Sequence, residues 1–387
     1  MALTSVIRER QWDQAEALLV QHMTTRLLEE LLPPGSVKRA NNLLIEDDEG
    51  LAVRLALSNQ ADPELFRRII EAFPNAARQK DLLGELPLHA AARCNTSPQN
   101  FCTLLSSFPL GAREKSRDGH LPLHLTARYN AAPDLAEHLL GVFPEGAAQK
   151  NHGGQLPLHL AVRNKASLAL VMRLLDAFPA GSRHKTSHSG SGGHTPLHLA
   201  VESNAPSEVV AFLLRASPDA ARGKTTAGWL PLHLAVANNA SPEVVAYLLG
   251  GFPEASRDET TYGALPLHIA LRYSAEPQVI RALLTAWPEA TRGKSVSGFL
   301  PLHVALANNA SPEVIGLVLS AYPGAAMVVN SDGLLPQDLA SKVKARREVL
   351  EMLQVACDGE GRCCRDVDAY KEIRDRIRDI SSKSAST

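Results

Sequence analysis

Seven histidines, His89, His124, His159, His198, His233, His268 and His303, each follow a Pro-Leu pair, and five of the six intervals between them are 35 residues. Imidazole ligates metals and moves protons near neutral pH, so a regular row of histidines could in principle form a metal ladder or an acid–base array. The spacing argues against both. Copies one period apart belong to successive structural units, whose helices pack about 8–10 Å apart, whereas a shared zinc needs each nitrogen at about 2.0–2.1 Å. The row is therefore expected to be structural, with each imidazole near the first turn of a helix bonding loop backbone between units. His184, His188 and His194 are a looser metal candidate, but their spacing matches no zinc pattern. Cys357, Cys363 and Cys364 are the other cluster; a thiolate metal or redox site there would need a fourth ligand that the sequence does not supply. No phosphate loop, nucleophile elbow or kinase signature occurs. The chain is expected to be neither an enzyme nor the holder of a cofactor.

The elements that carry the histidines can be read from one period, Gly228 to Arg257. A first short helix opens at Pro231, whose fixed φ and missing N–H suit the opening turn, and stops at Asn238-Asn239, since Asn tolerates the left-handed conformation. A second opens with Ser241 as N-cap, Pro242 at the first helical position and Glu243 where the helix dipole favours a negative charge. Phe252-Pro253 ends it. Gly228 and Gly263 frame a loop that must turn back before the next Pro-Leu-His. The one long interval, 39 residues from His159 to His198, is accounted for by an extra loop around Ser187–Gly193.

This unit resembles the ankyrin repeat, whose core is Thr-Pro-Leu-His-x-Ala in a turn plus two antiparallel helices with a period near 33 residues. The resemblance covers about Glu49 to Gln354 and implies an all-α fold, an ankyrin-repeat α-solenoid of about nine helix-turn-helix repeats with helical caps at both ends. Arg54 and Asp338 fall in the histidine column of a degenerate first and last repeat, as expected of ends that pack on one neighbour only. The chain departs from the pattern at Leu86, Leu121, Leu156, Leu230, Leu265 and Leu300, which replace threonine; only Thr195 keeps it. Losing an N-cap costs about 0.5–2 kcal/mol, while burying a leucine gains about 1.5–3 kcal/mol. The exchange is neutral or favourable if each leucine packs between repeats, and the family's Thr–His contact is then not expected.

The 387 residues carry a net charge of −1 with 45% hydrophobic residues, so a dedicated nucleic-acid binder is not expected. No run reaches the roughly 18 apolar residues of a membrane span, and the first ten residues lack the apolar core of a signal peptide. A cytoplasmic location, with the nucleus as alternative, and reduced cysteines follow as expectations. Residues 1–48 read as a helical N-terminal cap, 49–354 as the array, and 355–387 as a Cys-containing linker, an amphipathic helix and a disordered tail. That helix, Asp366–Ile380, has Val367, Tyr370, Ile373, Ile377 and Ile380 on one face, either capping the array or binding a partner.

Ankyrin-repeat proteins commonly bind proteins through a concave face of return loops and first helices. On that resemblance the chain is expected to be a non-catalytic scaffold or adaptor for a protein partner. Four and five residues beyond each histidine stand Arg93, Arg128, Tyr129, Arg163, Glu202, Arg272 and Tyr273, and one residue after the loop glycine stand Trp229 and Phe299. The arginines with Tyr129 would make a basic ladder, the aromatic residues an apolar patch. Alternatively Trp229 and Phe299 pack on neighbouring loops and the arginines are solvated or paired. A second column, Arg78, Arg113, Arg183, Arg222, Arg257 and Arg292 with Lys80, Lys115, Lys150, Lys185, Lys224 and Lys294 two residues on, is expected to oppose the dipole of the second helix and to pair with acids three residues earlier. A polyanion track is the rival reading of that column, as is metal or redox chemistry for the C-terminal cysteines.

Overall fold

A computed structural model describes residues 49–187, 192–363 and 367–384. Among the described residues there are nineteen α-helices and no strand. They fall into two compact units divided after Gly181. The first holds four helix pairs: α1 Glu49–Ser58 with α2 Pro63–Ala72, α3 Pro87–Arg93 with α4 Pro98–Ser107, α5 Pro122–Arg128 with α6 Pro133–Val142, and α7 Pro157–Arg163 with α8 Leu168–Ala177. The second holds five: α9 Pro196–Glu202 with α10 Ser207–Ala216, α11 Pro231–Ala237 with α12 Pro242–Gly251, α13 Pro266–Arg272 with α14 Pro277–Ala286, α15 Pro301–Ala307 with α16 Pro312–Ala321, and α17 Pro336–Lys342 with α18 Arg347–Cys363, followed by α19 Val367–Ser384. Within each unit first helices pack on first helices and second on second, so each is an all-α solenoid stack. The expected N-terminal cap, residues 1–48, lies outside the described residues.

A seven-residue helix is too short to hold itself. The first helices persist because they are apolar all round and sandwiched: in α5 every residue from Pro122 to Ala127 is buried. Each ends where the chain turns left-handed, at Asn95, Asn130, Asn204, Asn239 and Asn309 with φ between 47° and 51°, and at Gln60, Lys165, Ser274 and Lys344 in the other repeats. These asparagines do a second job. Asn95 Oδ1 accepts the Ala132 N–H at 2.8 Å and Asn130 Oδ1 that of Ser167 at 3.0 Å, tying one turn to the next. In the second helices Ser97, Ser167, Ser241 and Ser311 cap as the sequence predicts. Beyond Phe252 the chain does not simply stop. Pro253–Arg257 forms a 3₁₀ turn, as do Pro109–Arg113, Pro144–Ala148, Pro218–Arg222, Pro288–Arg292 and Pro323–Met327. Proline blocks continuation of the α-helix, and a pair of small residues such as Gly111-Ala112 is buried as the turn folds under the stack.

At the C-terminus the expected linker is instead helix, since α18 runs past Gln354 to Cys363. Met352, Leu353 and Ala356 are wholly buried, and Gln354 Nε2 donates to Asp358 Oδ1 one turn on at 2.7 Å. The helix continues through Gly359 and Gly361 despite their low helix propensity. The apolar stripe of α19 docks on α16 and α18, burying Ile373 and Ile377. A β-carbon on Gly316 of α16 would stand 2.7 Å from Ser381 Oγ, so the close approach of α19 requires glycine there.

Candidate partner-binding face

The histidine column is the frame on which the candidate face is built. Each imidazole is wholly or almost wholly buried, at most 4% exposed. Its Nδ1 accepts the backbone N–H of the residue that opens its helix, as from Leu86 to His89 at 3.1 Å and from Leu230 to His233 at 3.0 Å. In four of the histidines the Nε2–H donates to a carbonyl of the following repeat, His89 to His120 O at 3.0 Å, His124 to Gln155 O at 3.2 Å, His198 to Trp229 O at 3.2 Å and His268 to Phe299 O at 3.1 Å. His233 and His303 donate instead to Asp258 O at 3.0 Å and Val328 O at 2.9 Å, in the turn after their own second helix. Both nitrogens are thus committed to one neutral tautomer. Burial drives His89, His198 and His233 down from 6.5 to about 4, and His124 to about 3, with backbone acceptors only partly opposing it. Burial lowers His268 and His303 as well.

The substituted leucines are at most 2% exposed, so the packing needed to offset the lost hydroxyl is present. The imidazole keeps its contact with the helix start through the backbone N–H. At Thr195 the family's contact survives, its hydroxyl 2.7 Å from His198 Nδ1. The degenerate end repeats divide the histidine's two tasks. Arg54 donates forward to Gln79 O at 2.9 Å and Glu85 O at 3.4 Å, while Asp338 accepts from its own Leu335 N–H at 2.9 Å.

On this frame the predicted binding residues are not equivalent. In the first unit Arg128 and Arg163 are exposed, and Tyr129 is 47% exposed beneath the Arg128 guanidinium, 5.9 Å from the ring centroid. Arg93 is different: it pairs at 2.6 Å with Glu85, whose carboxyl burial pushes up while Arg93 pulls it down. The basic ladder therefore loses its first rung to an internal ion pair. In the second unit Glu202 and Arg272 are exposed and Tyr273 is 47% exposed. Trp229 and Phe299 are half-buried. Each packs edge-on against the histidine of its own repeat, Trp229 on His233 and Phe299 on His303, with centroids 6.1 Å apart. Sequence reading missed the loop tips, where Tyr262 is 72% and Val296 79% exposed. Their place beside the loop glycine, on a turn that cannot bury them, was the available signal.

The second basic column stacks on aromatic rings. Arg78 lies over Phe108, Arg113 over Phe143, Arg222 over Phe252 and Arg292 over Tyr322, at 5.0–5.3 Å. Each ring closes the second helix of the next repeat. Where that position is Ser217, Arg183 Nε donates to its hydroxyl at 3.1 Å. The expected pairing with an acid three residues earlier occurs at Arg292–Glu289, 3.3 Å. Lysines reach forward too, Lys80 to Glu114 at 2.6 Å, Lys115 to Lys150 O at 3.0 Å and Lys224 to Asp258 at 3.3 Å. Of the other candidates, His188 and Cys364 lie outside the described residues, Cys357 is half-buried in α18 and Cys363 ends that helix.

The family model for ankyrin repeats, in three copies, matches residues 123–222 and 204–292. None of the curated proteins compared matches the chain. Among the described residues no helix is long and apolar enough to cross a membrane.

Proposed function

Because the chain is an ankyrin-repeat protein, we propose that it acts as a non-catalytic scaffold or adaptor whose return loops and first helices hold a protein partner. Ankyrin repeats are in general protein-interaction modules. The observation that carries the reading is the exposure of Arg128, Tyr129, Arg163, Arg272 and Tyr273 at the ends of first helices that are otherwise buried. Exposed Tyr and Arg on a rigid base lose little entropy on binding and are enriched at hot spots. The first unit offers a basic patch, Arg128, Tyr129 and Arg163, suited to acidic side chains of a partner. The second offers Trp229, Tyr273 and Phe299 for a more apolar contact, with Glu202 and Arg272 as its charged members. Arg93 contributes through its pair with Glu85. The partner is held in the cytoplasm or nucleus.

The polyanion reading of the Arg/Lys column is weaker, because cations stacked on rings or bonded to the next repeat are already engaged. Affinity capture with the wild type and with two variants, Arg128→Glu/Arg163→Glu and Arg272→Glu/Tyr273→Ala, tests the proposal once circular dichroism has matched their folding. A protein captured by the wild type and lost from either variant supports it. Identical captures from all three, or capture of nucleic acid that 0.5 M salt removes, would overturn it.

A further inference from the structure

The second unit contains a cleft of about 790 Å³ between α14, α16 and α19. It exists because α19 lies along α16 and leaves part of that helix facing α14. The lining brings Arg281 of α14 together with Arg374 and Arg378 of α19, against a single carboxylate, Glu313. Arg281 and Glu313 approach to 3.5 Å. Arg378 meets Asp375 at 4.0 Å, where both are well exposed and water screens them.

Two polar atoms of lining residues, Ser320 Oγ on α16 and Arg374 Nε on α19, are buried without a hydrogen-bond partner among the described residues. Ser320 is only 7% exposed. Leaving such atoms unpaired in an interior is unfavourable. Both can donate, as can guanidinium N–H groups of the lining arginines, whereas the hydroxyls of Thr285 and Ser382 at the rim already donate to Arg281 O at 2.8 Å and Asp379 O at 3.0 Å. The lining therefore offers guanidinium donors, with three arginines set against Glu313 and, beside Arg378, Asp375.

We propose that this cleft binds a phosphate monoester. At neutral pH such a group carries a charge of about −1.5 to −2 and three acceptor oxygens, which matches the excess of cations and the arrangement of donors. The volume falls in the range of about 300–1,000 Å³ typical of small-ligand clefts, large enough for the group that bears the phosphate. That bearer is either a free small molecule or a phosphorylated residue of a polypeptide.

Calorimetric titration of the full chain at constant ionic strength tests this, with inorganic phosphate and with a pentapeptide carrying phosphoserine among glycine and alanine residues. Saturable binding is expected, weakened about tenfold or more by Arg374→Gln, weakened also by Ser320→Ala, and unchanged by Arg347→Gln, whose side chain pairs with Glu351 away from the cleft. Tighter binding of the peptide assigns a polypeptide source; equal binding assigns a small molecule. If Arg374→Gln melts below the wild type, Arg378→Gln on the exposed rim replaces it. Absence of saturation, or equal affinity in all variants, would overturn the proposal.

Discussion

The Thr195 hydroxyl lies 2.7 Å from His198 Nδ1, and among the repeats that keep the histidine it is the one hydroxyl at this position. Elsewhere leucine stands there and the backbone N–H alone meets the imidazole. At Leu265 the room comes from Gly293, where a β-carbon would stand 2.5 Å from Leu265 Cδ1, and Gly223 occupies the equivalent place opposite Thr195.

Thr195→Leu should accordingly be tolerated within about 1.5 kcal/mol, whereas Leu230→Ala should cost about 2–5 kcal/mol through the cavity it leaves. Urea denaturation of both variants checks this. A Thr195→Leu loss as large as that of Leu230→Ala would contradict the account.

Acid should unfold the protein through its histidines. Their folded pKa values lie below 6.5, so the unfolded chain binds more protons, and the stability they confer is complete above about 6.5 and is lost as pH falls towards 4. At pH 5 a single histidine shifted in this way costs on the order of 2 kcal/mol. The urea midpoint should hold steady above pH 7 and drop sharply between pH 6.5 and 5; a flat profile across that window would count against buried neutral imidazoles.

Arg113 and Phe143 should be energetically coupled across neighbouring repeats. A double-mutant cycle with Arg113→Ala and Phe143→Leu should give a coupling of about 0.5–1 kcal/mol. Strict additivity would mean that the guanidinium is merely solvated beside the ring.

Gly316→Val should lift α19 from α16, because a side chain there collides with Ser381. Overpacking of this kind costs about 1–3 kcal/mol. Hydrogen exchange should accelerate selectively between Ile373 and Ser381; protection equal to the wild type would show that α19 is held by other contacts.

What was legible without coordinates was whatever repeats. Pro-Leu-His at a nearly constant interval, a serine N-cap before Asn100, Leu170, Val244 and Val314 and Asn at five of the turns are local signals, repeated until chance is excluded, and they determined the fold class and the structural role of the histidines. The frame of the candidate face was legible for the same reason, since register alone places Arg128, Tyr129 and Tyr273 at helix ends.

What only the tertiary structure decided is how side chains far apart in sequence meet. Arg93 is withdrawn by Glu85, Trp229 and Phe299 lean on their own histidines, and the arginine column rests on rings about thirty residues ahead. The apolar stripe of α19 finds α16, leaving the arginine-lined cleft at its side. A period fixes which positions are equivalent, but the partner each one reaches depends on the side chain the neighbouring repeat presents. Contact energies between repeats are set by that pairing in space, and no local pattern records it.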